Sequence, residues 1–191
     1  MDNEGQEKRA RTNCGKMYRK LLAGCDLILG NEKYFKMSGS NVGGNRFFYL
    51  TDPATAPSNI RFQKKAKFEA KLLVWMAISL QGVSDVYVHN SKQANRRGTY
   101  LTGCIDKRLL PFLAKYHQDG NYLFWPDLAS AHYSNVVQGR LNKKNVPFVP
   151  RTDNPPNVPQ ASPIETVWAL LEQKMYEGNW EAKNLDILAQ E

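Results

Sequence analysis

Short apolar runs alternate with amphipathic stretches along most of the chain, and this pattern predicts both strands and helices. The run 25–29, apolar except for Asp26, is typical of a buried strand. The run Lys71–Ser79, apolar between its two end residues, is typical of a strand buried on both faces. The segment Val83–His89 alternates in polarity after a Gln-Gly turn, so it is predicted to return as the second strand of a hairpin. Arg46–Leu50 is a further strand-like run.

The second half of the chain mixes the two periodicities. Apolar residues at helical spacing predict a helix over Arg97–Tyr116, which Pro111 should kink or break. A strand, a helix, a short strand and a helix are then predicted at 121–127, Ser134–Lys144, Val146–Val149 and Ser162–Tyr176. Strands that alternate with helices after an initial meander indicate an α/β protein, with a mixed sheet covered by helices.

Length and composition fit one folded domain with flanking segments. The chain has 191 residues, of which 42% are hydrophobic and 23% charged, which argues against global disorder. No apolar stretch approaches the roughly 18 residues that span a bilayer, so no membrane partner is expected. Residues 1–22 are polar and basic, and we expect an arm or interdomain linker with a short helix around Lys16–Leu22. Residues 179–191 form a tail in which 184–190 is a candidate helix.

The net charge indicates a class of binding partner. A formal charge of +8 suits a polyanion, with nucleic acid first among the candidates, although a merely basic soluble protein fits the charge as well. The three cysteines, Cys14, Cys25 and Cys104, are widely spaced without a C-x-x-C pair. They indicate reduced thiols in the cytosol or nucleus and offer no zinc site.

Two carboxylates stand at positions where α/β proteins collect chemistry. Asp127 follows a predicted strand that Pro126 should end, and Glu165 begins a helix after a Pro-rich loop. Together they could hold a divalent cation. Simpler interpretations remain open: Asp127 suits a turn, and Glu165 suits a capping box with Ser162. By itself His132 is more often a packed or solvated histidine than a ligand.

Three motifs then resemble one family. They are Phe124-Trp-Pro-Asp127-Leu-Ala-Ser-Ala-His132, Pro163-Ile-Glu165-Thr-Val-Trp168, and Val74–Ser79 followed by Gly82. In this order, and with 37 residues between Asp127 and Glu165, they resemble the catalytic domain of mariner-type transposases of the DDE/D superfamily. The resemblance covers residues 23–178, and its Pro-Ile-Glu-x-x-Trp element is the most specific part.

The resemblance implies a fold, a reaction and partners. The fold would be RNase H-like, a mixed five-stranded sheet flanked by helices. Three acids would bind two Mg²⁺ or Mn²⁺ ions, hydrolyse phosphodiesters at transposon ends and join the freed 3′-hydroxyl to target DNA. The partners would be transposon-end and target DNA, and a homodimer of the full-length protein is a candidate. We expect a nuclear location, or a cytoplasmic one in a prokaryote. The family's N-terminal helix-turn-helix region has no counterpart in this sequence, so we interpret the chain as the catalytic half of a longer protein.

The first acid of the family has no counterpart here. Its place falls in Gly30-Asn31-Glu32, so Asn31 stands where the metal-binding aspartate is expected. An amide carries no charge and offers one acceptor oxygen, which should weaken or abolish a two-cation site. Asp26 and Glu32 should point to the opposite face of the strand, and nothing in the local pattern requires Asp153 to replace it.

Two explanations of Asn31 stay open. It is a deliberate substitution in a transposase that is otherwise intact, or it marks a domesticated copy that serves as a non-catalytic DNA-binding or adaptor protein.

Basic residues are candidates for contacts with DNA phosphates, each with a solvated surface charge as the alternative. They are Lys64, Lys65, Lys67, Arg96, Arg97, Arg140, Lys143 and Lys144. His132 is a candidate contact either behind the acids or to DNA. Asn31 (as aspartate), Asp127 and Glu165 are the expected metal ligands and catalytic positions.

Overall fold

A mixed sheet of five strands forms the centre of the computed structural model, which describes residues 3–37, 52, 70–90 and 97–190. The predicted strand Arg46–Leu50 lies outside these residues. The strands are β1 (Asp26–Lys36), β2 (Lys71–Ser79), β3 (Gly82–Val83), β4 (Tyr87–Asn90) and β5 (Tyr122–Pro126). Their order in the sheet is β3-β2-β1-β5, and β4 also pairs with β2. The β2 bounds match the predicted strand, and the predicted return strand is divided into β3 and β4.

Helices flank the sheet. They are α1 (Asn3–Leu22), α2 (Arg97–Thr99), a π-helix (Tyr100–Leu109), α3 (Leu110–Tyr116), α4 (Asn135–Lys143), α5 (Pro163–Met175) and α6 (Leu185–Leu188), with 3₁₀ turns at Pro159–Ala161 and Glu177–Asn179. Pro111 does not break the predicted long helix. The hydrogen-bonding pattern changes beside it instead: the Leu110 N–H still bonds to Ile105 five residues back, and α-helical geometry follows. None of the described helices is both long and apolar enough to cross a membrane.

Strand β1 is central because it pairs on both sides. It runs antiparallel to β2 from Leu29↔Ile78 to Lys36↔Lys71. It runs parallel to β5 from Asp26↔Tyr122 to Gly30↔Pro126. Pro126 ends β5, as expected for a residue without an N–H group. The next residue of β1 is Asn31, which therefore lies just beyond the end of β5.

The two faces of the sheet carry separate cores, because successive strand residues point to opposite sides. Ile28, Trp75 and Phe124 pack with the π-helix, α3 and α4. Leu29 and Met76 pack on the other face against Ile164 and Trp168 of α5. Asn31 shares the parity of Leu29, so its side chain faces α5.

Helix α1 is longer than the sequence suggested. The short helix predicted around Lys16–Leu22 begins at Asn3 instead. Its inner face is formed by Ala10, Asn13 and Met17, which are buried and recur at helical spacing. Met17 joins a small cluster with Leu27. Because one of the few buried residues of this face is an asparagine, hydrophobic periodicity does not reveal the face in the sequence.

Gly30 is required where β1, β2 and β5 meet. A Cβ atom at this position would lie 2.6 Å from Cε2 of Phe124 and 3.2 Å from Cζ2 of Trp75, both fully buried rings. Such rings cannot move aside cheaply in a packed core. The packing of these two rings therefore requires glycine at the position before Asn31.

We expect Gly30→Ala to lower the free energy of unfolding by about 1–3 kcal/mol because it overpacks this junction. Urea unfolding measures the change. Gly139→Ala is the matched control: Gly139 is exposed on α4 with open space around its Cβ position, so the same substitution there should stabilise by about 0.5–1 kcal/mol. Equal effects of the two substitutions would refute the steric explanation.

Candidate acidic site

Three predicted site positions meet in one cleft of about 210 Å³. Asn31 lies on β1, Asp127 directly follows β5, and Glu165 is in the first turn of α5. The loop 154–159 closes the cleft on its remaining side. Residues that are far apart in the sequence are thus brought together, as the motif resemblance implied.

The strand register places Asp127 beside Asn31. The last β1–β5 pair is Gly30↔Pro126, and one further hydrogen bond follows, from the Asp127 N–H to the Gly30 carbonyl at 3.1 Å. The two strands diverge beyond this bond, and the cleft opens between them. Asp127 is exposed there, and its Oδ1 accepts a hydrogen bond from the Leu128 N–H at 2.6 Å.

Asn31 uses both ends of its amide. Its Nδ2 donates to Glu165 Oε1 at 2.8 Å, and its Oδ1 accepts from the Glu32 N–H at 2.7 Å. A hydrogen bond to an ionised carboxylate is stronger than a neutral one. The amide of Asn31 thus satisfies one oxygen of Glu165 without any cation.

The capping box, the simpler interpretation that stayed open for Glu165, is not formed. Ser162 is the residue before α5, but its side chain makes no capping hydrogen bond. The Glu165 carboxylate bonds to Asn31, 134 positions away in the chain, and its backbone N–H donates to the Ser162 carbonyl at 3.0 Å. Glu165 therefore faces the cleft and β1.

The donor set of the cleft does not fit two divalent cations. Among the described residues, no group of three or more His, Cys, Asp or Glu side chains could hold a metal ion. The three site positions supply two carboxylates and an amide whose NH₂ group, a donor, points at one of them. None of the three alternative acids completes the set: Asp153 pairs with Lys16 at 2.7 Å, and Asp26 Oδ1 accepts from the Leu80 N–H at 3.3 Å. Glu32 Oε2 lies 3.8 Å from Nε2 of the buried His132.

His132 lies behind Asp127. Its ring is 1% exposed and stacks on Tyr100 with the centroids 4.0 Å apart. Nδ1 lies 3.1 Å from the Asp127 carbonyl oxygen, and Nε2 lies 3.8 Å from Oε2 of Glu32. Of the two roles considered for His132, a direct DNA contact is contradicted by this burial, whereas support of the Asp127 backbone fits the geometry.

The basic candidates differ in their surroundings. Lys64, Lys65, Lys67 and Arg96 fall outside the described residues, and Arg97 begins α2. Nε of Arg140 donates to Asp106 at 2.7 Å, so that charge is already paired within the domain. Lys143 and Lys144 are exposed at the end of α4 and keep their place as candidates for phosphate contacts.

Asn154, a 3% exposed residue of the loop that closes the cleft, has no signal in the sequence. Its amide contacts Trp125, Pro126 and Tyr133. Burial raises the pKa of Tyr133 to about 12, so its hydroxyl keeps its proton and donates to the Val149 carbonyl. An asparagine in a Pro-rich loop is typical of a turn, and only tertiary contacts distinguish it.

No protein family matches the sequence, and neither does any curated protein. Solved structures do match over the whole chain. The Mos1 transposase paired-end complex with left transposon end is 15% identical with a TM-score of 0.75, and the chain covers 54% of it. The catalytic domain of Mos1 mariner transposase is 14% identical with a TM-score of 0.65 and is covered to 79%. The same catalytic domain with Raltegravir and Mg is 15% identical with a TM-score of 0.67 and is covered to 81%.

These similarities confirm the predicted RNase H-like fold, a mixed five-stranded sheet flanked by helices. The chain spans about half the length of the transposase chains in the complexes that it matches.

We expect Asn31→Asp to destabilise the protein in EDTA and to make its stability depend on divalent cations. The substitution replaces the Asn31–Glu165 hydrogen bond with two facing carboxylates, which should lower the free energy of unfolding by about 1–3 kcal/mol. Mn²⁺ should reverse the loss, because a ligand that binds only the folded state stabilises it. Thermal unfolding with and without Mn²⁺ measures both effects.

Two controls define the result. The double variant Asn31→Asp/Glu165→Gln restores an amide–carboxylate pair and should regain stability without Mn²⁺. In the unsubstituted chain, Mn²⁺ should raise the unfolding temperature no more than a salt of monovalent ions does at the same ionic strength. Identical Mn²⁺ responses in all three proteins would contradict the account.

Proposed function

We propose that this chain is the catalytic domain of a cut-and-paste DNA transposase in which Asn31 blocks the nuclease reaction. One observation carries the proposal: Asn31, Asp127 and Glu165 line a single cleft at the end of a parallel strand pair. Acids at this edge of an α/β sheet are placed for chemistry on a bound ligand. The shared fold and the order of the motifs support the same function.

The similar structures support a DNA substrate and divalent cations. They include a paired-end complex with left transposon end, and Mos1 mariner complexes with Mn and with Mg. We infer that this chain acts on transposon-end and target DNA, in a nucleus or in a prokaryotic cytoplasm, and that the full-length protein pairs two ends as a homodimer. Its charge of +8 and the exposed Lys143 and Lys144 suit phosphate binding.

The reaction requires an aspartate at position 31. In that form three carboxylates would face the cleft and hold two Mg²⁺ or Mn²⁺ ions. Such ions supply an activated water or hydroxyl and stabilise the leaving oxygen. The reaction would be phosphodiester hydrolysis followed by strand transfer of the freed 3′-hydroxyl. In the chain as written, the amide of Asn31 takes up Glu165 Oε1 instead.

A non-catalytic DNA-binding or adaptor protein is the second candidate. The Asn31–Glu165 hydrogen bond favours it, since the bond leaves a cleft that is satisfied without cations. Such a protein would keep the fold and the basic surface, and selection would no longer maintain the rest of the nuclease. The two candidates predict different results when the missing carboxylate is restored.

We expect Asn31→Asp to raise Mn²⁺-dependent nicking of DNA by about a hundredfold or more, since metal stabilisation of the transition state is worth several kcal/mol. The measurement is nicking of a supercoiled plasmid that carries candidate transposon ends. The chain as written should bind the same DNA with a steep salt dependence and nick it poorly.

The double variant Asn31→Asp/Asp127→Asn is the control for contaminating nuclease and should be as inactive as the chain as written. If Asn31→Asp folds, binds DNA and still fails to nick with either Mn²⁺ or Mg²⁺, the adaptor function replaces the transposase function. If Asn31→Asp does nick, strand-transfer assays on paired ends separate a transposase from a nuclease that does not transpose.

A further inference from the structure

We infer that Asn154 is a positioning residue that fixes Asp127 by holding the last peptide group of β5, and that α1 in turn holds Asn154. The consequence for catalysis rests on the proposed function, whereas the positioning itself rests on geometry alone. The Asn154 side chain lines the same cleft but makes no hydrogen bond to the side chain of Asn31, Asp127 or Glu165. It acts through Pro126, the residue that precedes Asp127.

All the polar atoms of the Asn154 amide are engaged. Nδ2 donates to the Pro126 carbonyl and to the Tyr133 hydroxyl, both at 2.8 Å. Oδ1 accepts from Nε1 of Trp125, also at 2.8 Å. Because the residue is 3% exposed, water cannot readily replace these partners. A buried polar network that is fully satisfied specifies a single arrangement.

The Pro126–Asp127 peptide group is held at both ends. Its carbonyl oxygen accepts from Asn154 Nδ2 at 2.8 Å, and its N–H, on Asp127, donates to the Gly30 carbonyl at 3.1 Å. A peptide group is planar, so hydrogen bonds to its carbonyl oxygen and to its N–H restrict the tilt of the whole plane. That plane sets the direction in which the Asp127 Cα atom and side chain leave the strand. Without Asn154, this peptide group would keep its bond to Gly30 alone, and His132 would still contact the next carbonyl, that of Asp127.

Helix α1 supports the loop that carries Asn154. Nδ2 of Asn13, which is itself buried, donates to the Thr152 carbonyl at 2.9 Å and to the Asn154 carbonyl at 3.4 Å. One turn further along, Lys16 pairs with Asp153 at 2.7 Å. The buried face of α1 is thus connected through one loop to the strand end beside the acids.

Asn154→Asp tests the inference with almost no change in shape. It keeps an acceptor for Trp125 Nε1 but turns the donor to the Pro126 carbonyl into a carboxylate oxygen. Tyr133→Phe is the matched control, since it removes a different partner of the same amide and leaves the contact with Pro126. Both variants should lose some global stability, so the readout has to be local.

Amide hydrogen exchange, followed by NMR on variants that keep Asn31, provides that readout. The reference is the amide of Ala77, a buried residue of β2 whose N–H donates to the hydroxyl of Ser84. Asn154→Asp should speed exchange of the Asp127 amide by about tenfold or more relative to this reference. Tyr133→Phe should speed both amides equally. The positioning role is overturned if Asp127 and Ala77 shift by the same factor in Asn154→Asp, since the residue would then act on stability alone.

Nicking assays in the Asn31→Asp background test the catalytic consequence. Adding Asn154→Asp should lower kcat by about tenfold or more with an unchanged Kd for DNA, and adding Tyr133→Phe should not. Equal kcat values for the two double variants would overturn the catalytic consequence. If Asn31→Asp alone fails to nick, the proposed function fails, and the exchange experiment still decides the role of Asn154.

Discussion

The parallel pairing of β1 with β5, and its termination at Gly30↔Pro126, is the constraint on which the site depends. Proline cannot continue the ladder, so the strands part after one last bond, from Asp127 to the Gly30 carbonyl. Asn31 and Asp127 consequently lie side by side at the opening. Gly30 permits this approach because Phe124 and Trp75 occupy the space that any side chain would need.

The electrostatics of the cleft follow from a single amide group. A carboxylate at position 31 would repel Glu165 unless a cation or a proton lay between them, whereas the Asn31 NH₂ group bonds to Glu165 directly at 2.8 Å. The choice between aspartate and asparagine at position 31 therefore affects the need of the cleft for cations more than it affects the fold. Asp127 is exposed, and its carboxylate accepts a hydrogen bond from the Leu128 N–H. Its own contacts therefore do not depend on which residue stands at position 31.

Local pattern predicted the parts of the fold that are set by local forces. The apolar run of β2, the end of β5 at Pro126 and the start of α5 at Pro163 all follow from residue type and spacing. The convergence of Asp127 and Glu165 followed from motif order, and the structure places both in one cleft.

The failures have a common physical cause, which is a partner far away in the sequence. Glu165 bonds to Asn31 rather than to its own helix end, and the local pattern likewise gave no sign of the Arg140–Asp106 pair. The inner face of α1 depends on Asn13, whose partners lie in the loop after Val149. Asn154 shows the same limit, because its three side-chain partners lie on β5 and before α4.

The most direct test of the account is anomalous diffraction from crystals of the Asn31→Asp variant and of the unsubstituted chain, both soaked in Mn²⁺. The account predicts manganese peaks at about 2.0–2.4 Å from carboxylate oxygens at positions 31, 127 and 165 of the variant. It predicts no such pair of peaks in the unsubstituted chain. Two fully occupied peaks in both crystals, or none in the variant, would contradict the claim that a single amide decides whether this cleft holds cations.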